Sequence, residues 1–192
     1  MVTDHIIRSV TTSDEDTAIQ VLVTAFRNEP IASFITPDEP AREARLLSRF
    51  QDMIKNRETN NMIVDITDTL NAAAIWEYKS VEEPKEPEVE VEHAAAKEEP
   101  PSGLSAAAEE MRIKLFAAEP PRPFFYLAYI GTTTKGQGAG SALIRHQLNK
   151  LPKGEKTVLF TSDGVEFYER FGFKVSTKVE VDGFSIYWMI RE

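Results

Sequence analysis

The sequence predicts a single mixed α/β domain whose sheet is mostly antiparallel, has about seven strands flanked by helices, and carries a parallel pair at its centre. Three observations point there. Strand-like and helix-like periodicities follow one another in the order βααββ(α)βαβαββ over 192 residues, a length that supports one domain with a substantial core. Two pairs of apolar runs are joined by short turns, Thr67-Asp68-Thr69-Leu70 and Asp182-Gly183, as antiparallel hairpins require. The apolar run 124–130 reaches the next one, 157–160, only through a helical pattern, which suits a crossover between parallel strands.

Residues 5–10 read as the first strand. Ser13-Asp14-Glu15-Asp16 resembles a capping box, and the helix that follows puts Ala18, Val21, Leu22 and Ala25 on one apolar face. A second helical pattern covers 38–56, with Leu46, Leu47, Phe50 and Ile54 inward and Pro40 tolerated in the first turn. Residues 62–68 and 71–79 form the first predicted hairpin. Residues 104–118 are helical until Pro120-Pro121-Arg122-Pro123 stops them. The central strand, a helix over 140–151, a buried strand over 157–160 and the hairpin of 174–181 with 184–191 complete the order. Trp188 on the last strand is expected to pack.

Between the central strand and its helix lies Thr132-Thr133-Thr134-Lys135-Gly136-Gln137-Gly138-Ala139-Gly140-Ser141. Glycines remove the Cβ atoms that would hold a ligand off the backbone. The first turn of the next helix then offers unpaired N–H groups bearing roughly half a positive charge. The segment is an anion cradle, and its spacing discriminates among phosphate ligands. Gly131 and Gly136 have the Walker spacing, but Gln137 and Gly138 stand where Lys and Ser/Thr are needed. Counting from Gly136 or Gly138, Ser141 or Leu143 takes the place of the third glycine of a dinucleotide fingerprint.

What Lys135-Gly136-Gln137-Gly138-Ala139-Gly140 does resemble is the coenzyme A loop of the GCN5-related N-acetyltransferases, with Lys135 where that family has Arg or Gln. The segment 161–173 is similar to the family's second hallmark. A small polar start precedes a short helix, the Phe167-Tyr168 pair follows, and Gly172-Phe173 closes it. The resemblance implies that Tyr168 is the general acid. A phenol suits protonation of a departing thiolate, because thiol and phenol both titrate above neutral pH. Phe167, Phe171 and Phe173 are read as core aromatics.

The resemblance further implies a sheet that splays at its central parallel pair, with the fourth strand, near 128–132, pairing with the pantetheine arm of acetyl-CoA. Carried over residue by residue, Ile130, Thr132, Lys135, Gly136, Gln137, Gly138, Ala139, Gly140 and Ser141 are cofactor contacts. Phe26, Glu29, Phe34 and Phe50 are candidate acceptor contacts on the early helices. Trp76-Glu77-Tyr78 resembles the Trp-containing strand end of the puromycin-acetyltransferase-like branch, which includes fungal members. That makes Trp76 a substrate contact and Glu77 a candidate catalytic base. The family often has a Glu on the fourth strand; Leu127 and Ala128 occupy that neighbourhood, so deprotonation through water or capture of a neutral amine is expected.

Composition narrows the alternatives. The chain has no cysteine, which removes disulfides, thiolate metal sites and an acyl-cysteine route. No metal is expected. No apolar run approaches about 18 residues and no basic-then-apolar leader opens the chain, so a cytoplasmic protein with no membrane partner is expected. Of the net charge of −9, six units fall within 81–100, where eight Glu meet two Lys. This Glu-, Pro- and Ala-rich stretch, part of an expected flexible acidic insertion over 80–103, has too little apolar surface to offset its ordering entropy. There is no basic stripe for nucleic acid. The expected activity is acetyl transfer from acetyl-CoA to a primary amine of a small molecule, by a monomer or homodimer. The alternatives are a coenzyme A-binding regulatory or interaction protein without catalysis, and a protein or peptide N-acetyltransferase.

Overall fold

A computed structural model describes residues 5–81 and 105–192; most of the acidic insertion therefore lies outside the described residues. Seven strands form one sheet in the order β1-β2-β3-β4-β5-β7-β6. They are β1 (Ile7–Ser9), β2 (Met62–Thr67), β3 (Ala72–Lys79), β4 (Phe124–Thr132), β5 (Thr157–Thr161), β6 (Lys174–Val181) and β7 (Phe184–Arg191). Every neighbouring pair is antiparallel except β4 with β5. The predicted fold class is the observed one. Asp182 and Gly183 both take positive φ, 50° and 79°, which is the backbone that a two-residue hairpin turn demands.

The helices are α1 (Glu15–Phe26), α2 (Pro30–Ile35), α3 (Glu39–Lys55), α4 (Ala106–Ala117), α5 (Ala139–Lys150) and α6 (Val165–Glu169). A 3-10 turn, Thr12–Asp14, precedes α1. The helix α2 is a departure from the sequence reading. Its six residues are too few to show a 3.6-residue period. It is started by the Glu29 carboxylate, which accepts from the Ala32 amide at 3.0 Å, with Pro30 in the first turn. The same device starts α3, where Asp38 accepts from Ala41 at 2.9 Å, and α4, where Ser105 accepts from Ala108 at 3.1 Å. Each such cap contributes about 1 kcal/mol.

Two layers of side chains sandwich the sheet. On one face α1 and α3 cover β2, β3 and β4 through Ile19, Leu22, Phe50, Ile54, Ile66 and Ile75. On the same face, Ile31 and Phe34 of α2 and Met111 of α4 continue the cover over β5, β7 and β6 against Val158, Ile186 and Trp188. The opposite face packs on Leu143 and Ile144 of α5, with Trp76, Leu127, Leu159, Phe173 and Met189. Trp188 does pack, and its indole N–H donates to the Leu115 carbonyl at 3.1 Å.

Two irregularities of β4 create the site. Ile75 pairs with Tyr129 and Trp76 with Leu127, so Ala128 is an extra residue, a β-bulge. On its other edge β4 pairs with β5 only through Phe125 with Thr157 and Tyr126 with Val158. Beyond Tyr126 the two parallel strands part, leaving one backbone edge of β4 without a strand partner over its last six residues.

Candidate active site

The glycine-rich turn sits at the open end of that parting. Gly136 and Gly138 have φ of 81° and 86°, values that cost an L-residue roughly 1–2 kcal/mol. Gly138 is the N-cap of α5 and supplies no side-chain acceptor. The first-turn amides of a twelve-residue helix therefore face outward with no side-chain cap, the arrangement that binds phosphate oxygens. A Cβ placed on Gly136 would meet nothing within 4 Å, so the loop borders open space. Lys135 is exposed there and pairs with no carboxylate among the described residues.

Neighbouring residues shape the turn. The Thr132 hydroxyl donates to the Thr134 carbonyl at 2.9 Å and accepts from the Thr134 amide at 3.2 Å. The Thr133 amide donates to the Asn71 carbonyl at 2.9 Å. The Gln137 carbonyl lies 3.0 Å from His5 Nε2. The side chains of Ala139 and Ile130 belong to the layer under α5, so these two residues can offer a ligand only backbone. A Cβ on Gly140 would make ordinary contacts, 3.8 Å to Phe167 and 3.9 Å to Ile130. Gly140 and Ser141 lie in the first turn of α5. The residues present fit a diphosphate at the turn and an extended arm along the free edge of β4.

Tyr168 stands on α6, directly after β5. Phe167 and Phe173 hold its ring edge-on at 5.1 and 6.2 Å. Burial raises the phenol's pKa, and the charges of Asp163 and Glu29 raise it further, so Tyr168 stays protonated across the physiological range, as a proton donor must. Glu29, on the segment after α1, reaches the turn between β5 and α6. Its carboxylate accepts from the Ser162 hydroxyl at 3.3 Å as well as from Ala32. Burial raises its pKa above the ordinary carboxylate value; the amides of Ala32 and Ile31 and the Ser162 hydroxyl oppose that rise, while the Asp163 charge adds to it. Ser162 thus ties Glu29 to the turn between β5 and α6 that leads into Tyr168, and the charges of Asp163 and Glu29 both act on the phenol. Ser162 and Asp163 were not singled out from sequence. They lie 133 and 134 positions from Glu29, and no local spacing signals that meeting.

Other predicted site residues stand elsewhere. Trp76 is fully buried beneath α5, because alternation along β3 turns it to the face opposite α1. Glu77 faces the α1 side beside Tyr126, but its carboxylate is paired with Lys79 at 2.7 Å. Phe26 packs edge-on to Tyr129 at 5.3 Å and tilted to Phe50 at 5.9 Å, and Phe50 is fully buried. Phe34 stacks on Phe184 at 4.5 Å, clamping α2 to the last hairpin. These three phenylalanines position the segment carrying Glu29. Among the described residues no three His, Asp or Glu side chains gather to hold a metal ion, and no helix is long and apolar enough to cross a membrane.

No family model matches the sequence. The fold is nevertheless shared with solved structures over nearly the whole chain. A Corynebacterium glutamicum protein described as histone acetyltransferase HPA2 and related acetyltransferase superposes with a TM-score of 0.69 at 22% identity, over 98% of this chain and 96% of that one. Mosquito arylalkylamine N-acetyltransferase like 5b gives 0.62 at 15% identity, over 98% and 99%. PaiA N-acetyltransferase from Thermoplasma acidophilum, in complex with coenzyme A, gives 0.58 at 14%, over 99% of each. The chain has the fold of the GCN5-related N-acetyltransferases. These neighbours do not single out the puromycin-acetyltransferase-like branch.

Proposed function

We propose that the protein transfers an acetyl group from acetyl-CoA to a primary amine of a small molecule, with Tyr168 as general acid and Glu29 as general base. The observation that carries this reading is a partly buried carboxylate, Glu29, hydrogen-bonded to Ser162 in the turn between β5 and the helix that carries Tyr168, in a sheet where β4 and β5 part and α5 begins without a side-chain cap. The fold shared with N-acetyltransferases supports it.

In this mechanism the first-turn amides of α5 and the Gly136–Gly138 backbone hold the diphosphate, and the free edge of β4 holds the arm in extended form. An amide near the Ala128 bulge polarises the thioester carbonyl. The amine nitrogen attacks the carbonyl carbon and its excess proton passes to Glu29, directly or through Ser162. The C–S bond breaks as Tyr168 gives its proton to sulfur. Glu29 then returns the captured proton, restoring the phenol, and the products are an amide and coenzyme A thiol. Glu29 is preferred over Glu77 as the base because Glu77 is neutralised by Lys79. Positioning both reactants supplies much of the rate.

The test is acetyl-CoA titration by calorimetry followed by thiol release with a panel of amines. Tyr168→Phe should lower turnover by about 10²–10⁴-fold while acetyl-CoA binding stays near normal. Unchanged turnover would remove Tyr168 from the role, and no heat of binding would end the reading altogether.

A further inference from the structure

The α1-facing side of the site carries a second chemical feature that acetyl transfer itself does not require. Arg45 and Arg49 lie one turn apart on the same side of α3, and each is aimed by a neutral hydroxyl. Arg45 Nη1 donates to Thr36 Oγ1 at 3.0 Å, and Arg49 Nε donates to Tyr129 Oη at 2.5 Å. The Arg49 guanidinium also lies 5.5 Å from the Tyr129 ring centroid. That ring is locked edge-on between Phe26 and Phe50, at 5.3 and 4.9 Å. These contacts use one donor on each guanidinium and leave the remaining donors free.

Neither arginine is paired with a carboxylate among the described residues, although eight ion pairs form elsewhere among them. Two like charges are thus held near one another at the surface without a counter-ion. Burial and the Arg49 charge both lower the pKa of Arg45, the direction expected of a cation short of an anionic partner. The pKa of Arg49 is raised chiefly by Tyr129, with smaller effects of Tyr126 and Glu77, and the Glu77 carboxylate is itself paired with Lys79.

The location ties the pair to the acceptor side. Tyr129 is the residue next to the Ala128 bulge. Thr36 ends the segment that begins at Arg27 and contains Glu29. Arg42 pins both ends of that segment, donating to the carbonyls of Arg27 at 2.6 Å, Thr36 at 2.9 Å and Pro37 at 3.0 Å. A ligand lying on the α1 side of β4 with its nitrogen toward Glu29 would extend toward Arg45 and Arg49.

We infer that Arg45 and Arg49 form a carboxylate-binding subsite, so that the preferred acceptor is an amine that also bears a carboxylate, an amino acid rather than a simple alkyl- or arylamine. The inference rests on the acetyltransferase reading for its amine and on the arginine pair for its acid. Planar guanidinium donors suit a carboxylate in bidentate geometry.

The experiment compares ω-amino acids of increasing chain length with alkylamines of the same length, using thiol release, in wild type, Arg45→Gln/Arg49→Gln and Arg45→Lys/Arg49→Lys. The variants are first shown to keep the wild-type melting temperature and affinity for acetyl-CoA. Wild type should favour the acid of the best length by about ten- to a hundredfold in kcat/KM. In the Gln variant that ratio should fall to about one, and the Lys variant should keep part of it. A parallel calorimetric titration of the N-acetylated amino acids into coenzyme A-loaded protein reads the subsite without catalysis. Equal use of acid and alkylamine by wild type, or a preference surviving in the Gln variant, overturns the inference. If no amine is acetylated, the transferase reading fails; the subsite then stands if an N-acetyl amino acid binds wild type and not the Gln variant, and falls if none binds.

Discussion

Substituting Gly131 by alanine probes whether the packing of α1 on β4 sets the geometry of the site. A Cβ on Gly131 would lie 2.6 Å from the Ala25 Cβ, 3.3 Å from Leu22 Cδ2 and 3.4 Å from Phe26 Cε2. The first contact cannot be relieved by a rotamer, because the Ala25 methyl is fixed to the helix backbone. Restoring an ordinary separation displaces α1 from the sheet by about 1 Å, an overpacking that costs about 1–3 kcal/mol. The reduced freedom of the unfolded chain returns about 0.4–1 kcal/mol, so a net loss of about 1.3 kcal/mol is expected. For a chain of this length that is a fall of about 3–5 °C in Tm. Because α1 leads directly into Glu29, turnover should fall as well, by up to about a hundredfold for a 1 Å error. Differential scanning calorimetry and thiol release measure the two effects. Adding Ala25→Gly removes the offending methyl and should restore turnover and part of the Tm, less about 1 kcal/mol for a helical glycine. A Tm within about 1 °C of wild type for Gly131→Ala, or a double variant no better than the single one, refutes the argument.

Glu29→Gln should lower kcat by about 10²–10⁴-fold and abolish the acidic limb of the kcat/KM profile. That limb should lie above the usual Glu value near 4.3, since burial raises this carboxyl; a limb that persists in the variant excludes Glu29 as the base. Gly138→Ala forces a methyl-bearing residue to φ near 86° and should weaken acetyl-CoA binding about tenfold, for a strain of about 1–2 kcal/mol. Calorimetry showing wild-type affinity counts against the helix-terminus site. Asp14 accepts from Arg8, from the Thr11 hydroxyl and from the Thr11 amide, and these bonds hold its carboxyl well below the ordinary range. Its contribution to stability is present above about pH 4 and lost as the pH falls through the depressed value. The Tm of Asp14→Asn should therefore depend less on pH in acid than that of wild type; parallel curves contradict the assignment.

Much of the architecture was readable from local pattern. The hairpin of β6 and β7 ends within the predicted residues because Asp182-Gly183 can adopt two consecutive positive φ values. The strand β4 runs two residues further than its apolar run, because Gly131 and Thr132 pair with Ala73 and Ala72; hydrogen bonding to a neighbour, not hydropathy, sets that end. For β3, alternation could say that Trp76 and Glu77 face opposite sides. It could not say that Trp76 is fully buried on its side of the sheet. The short α2 was invisible to periodicity, and its only local sign was Glu29-Pro30, a cap followed by a first-turn proline. Three arginines on one side of α3, Arg42, Arg45 and Arg49, were available as a signal. Which of them is buried and which aimed outward depends on partners at Arg27, Thr36 and Tyr129.

Apart from α2, the residues in order determined the elements, the parallel crossover and the glycine-lined turn, because those depend on dihedral preference and apolar spacing within a dozen positions. They also marked Tyr168 as the expected proton donor, since its motif is contiguous. The splay of the central parallel pair was expected from the resemblance, but tertiary structure alone decided that it begins after Tyr126, that Ala128 bulges, and that Glu29 meets Ser162. Those outcomes depend on which distant side chains compete to fill the same space, a competition settled by packing the whole sheet.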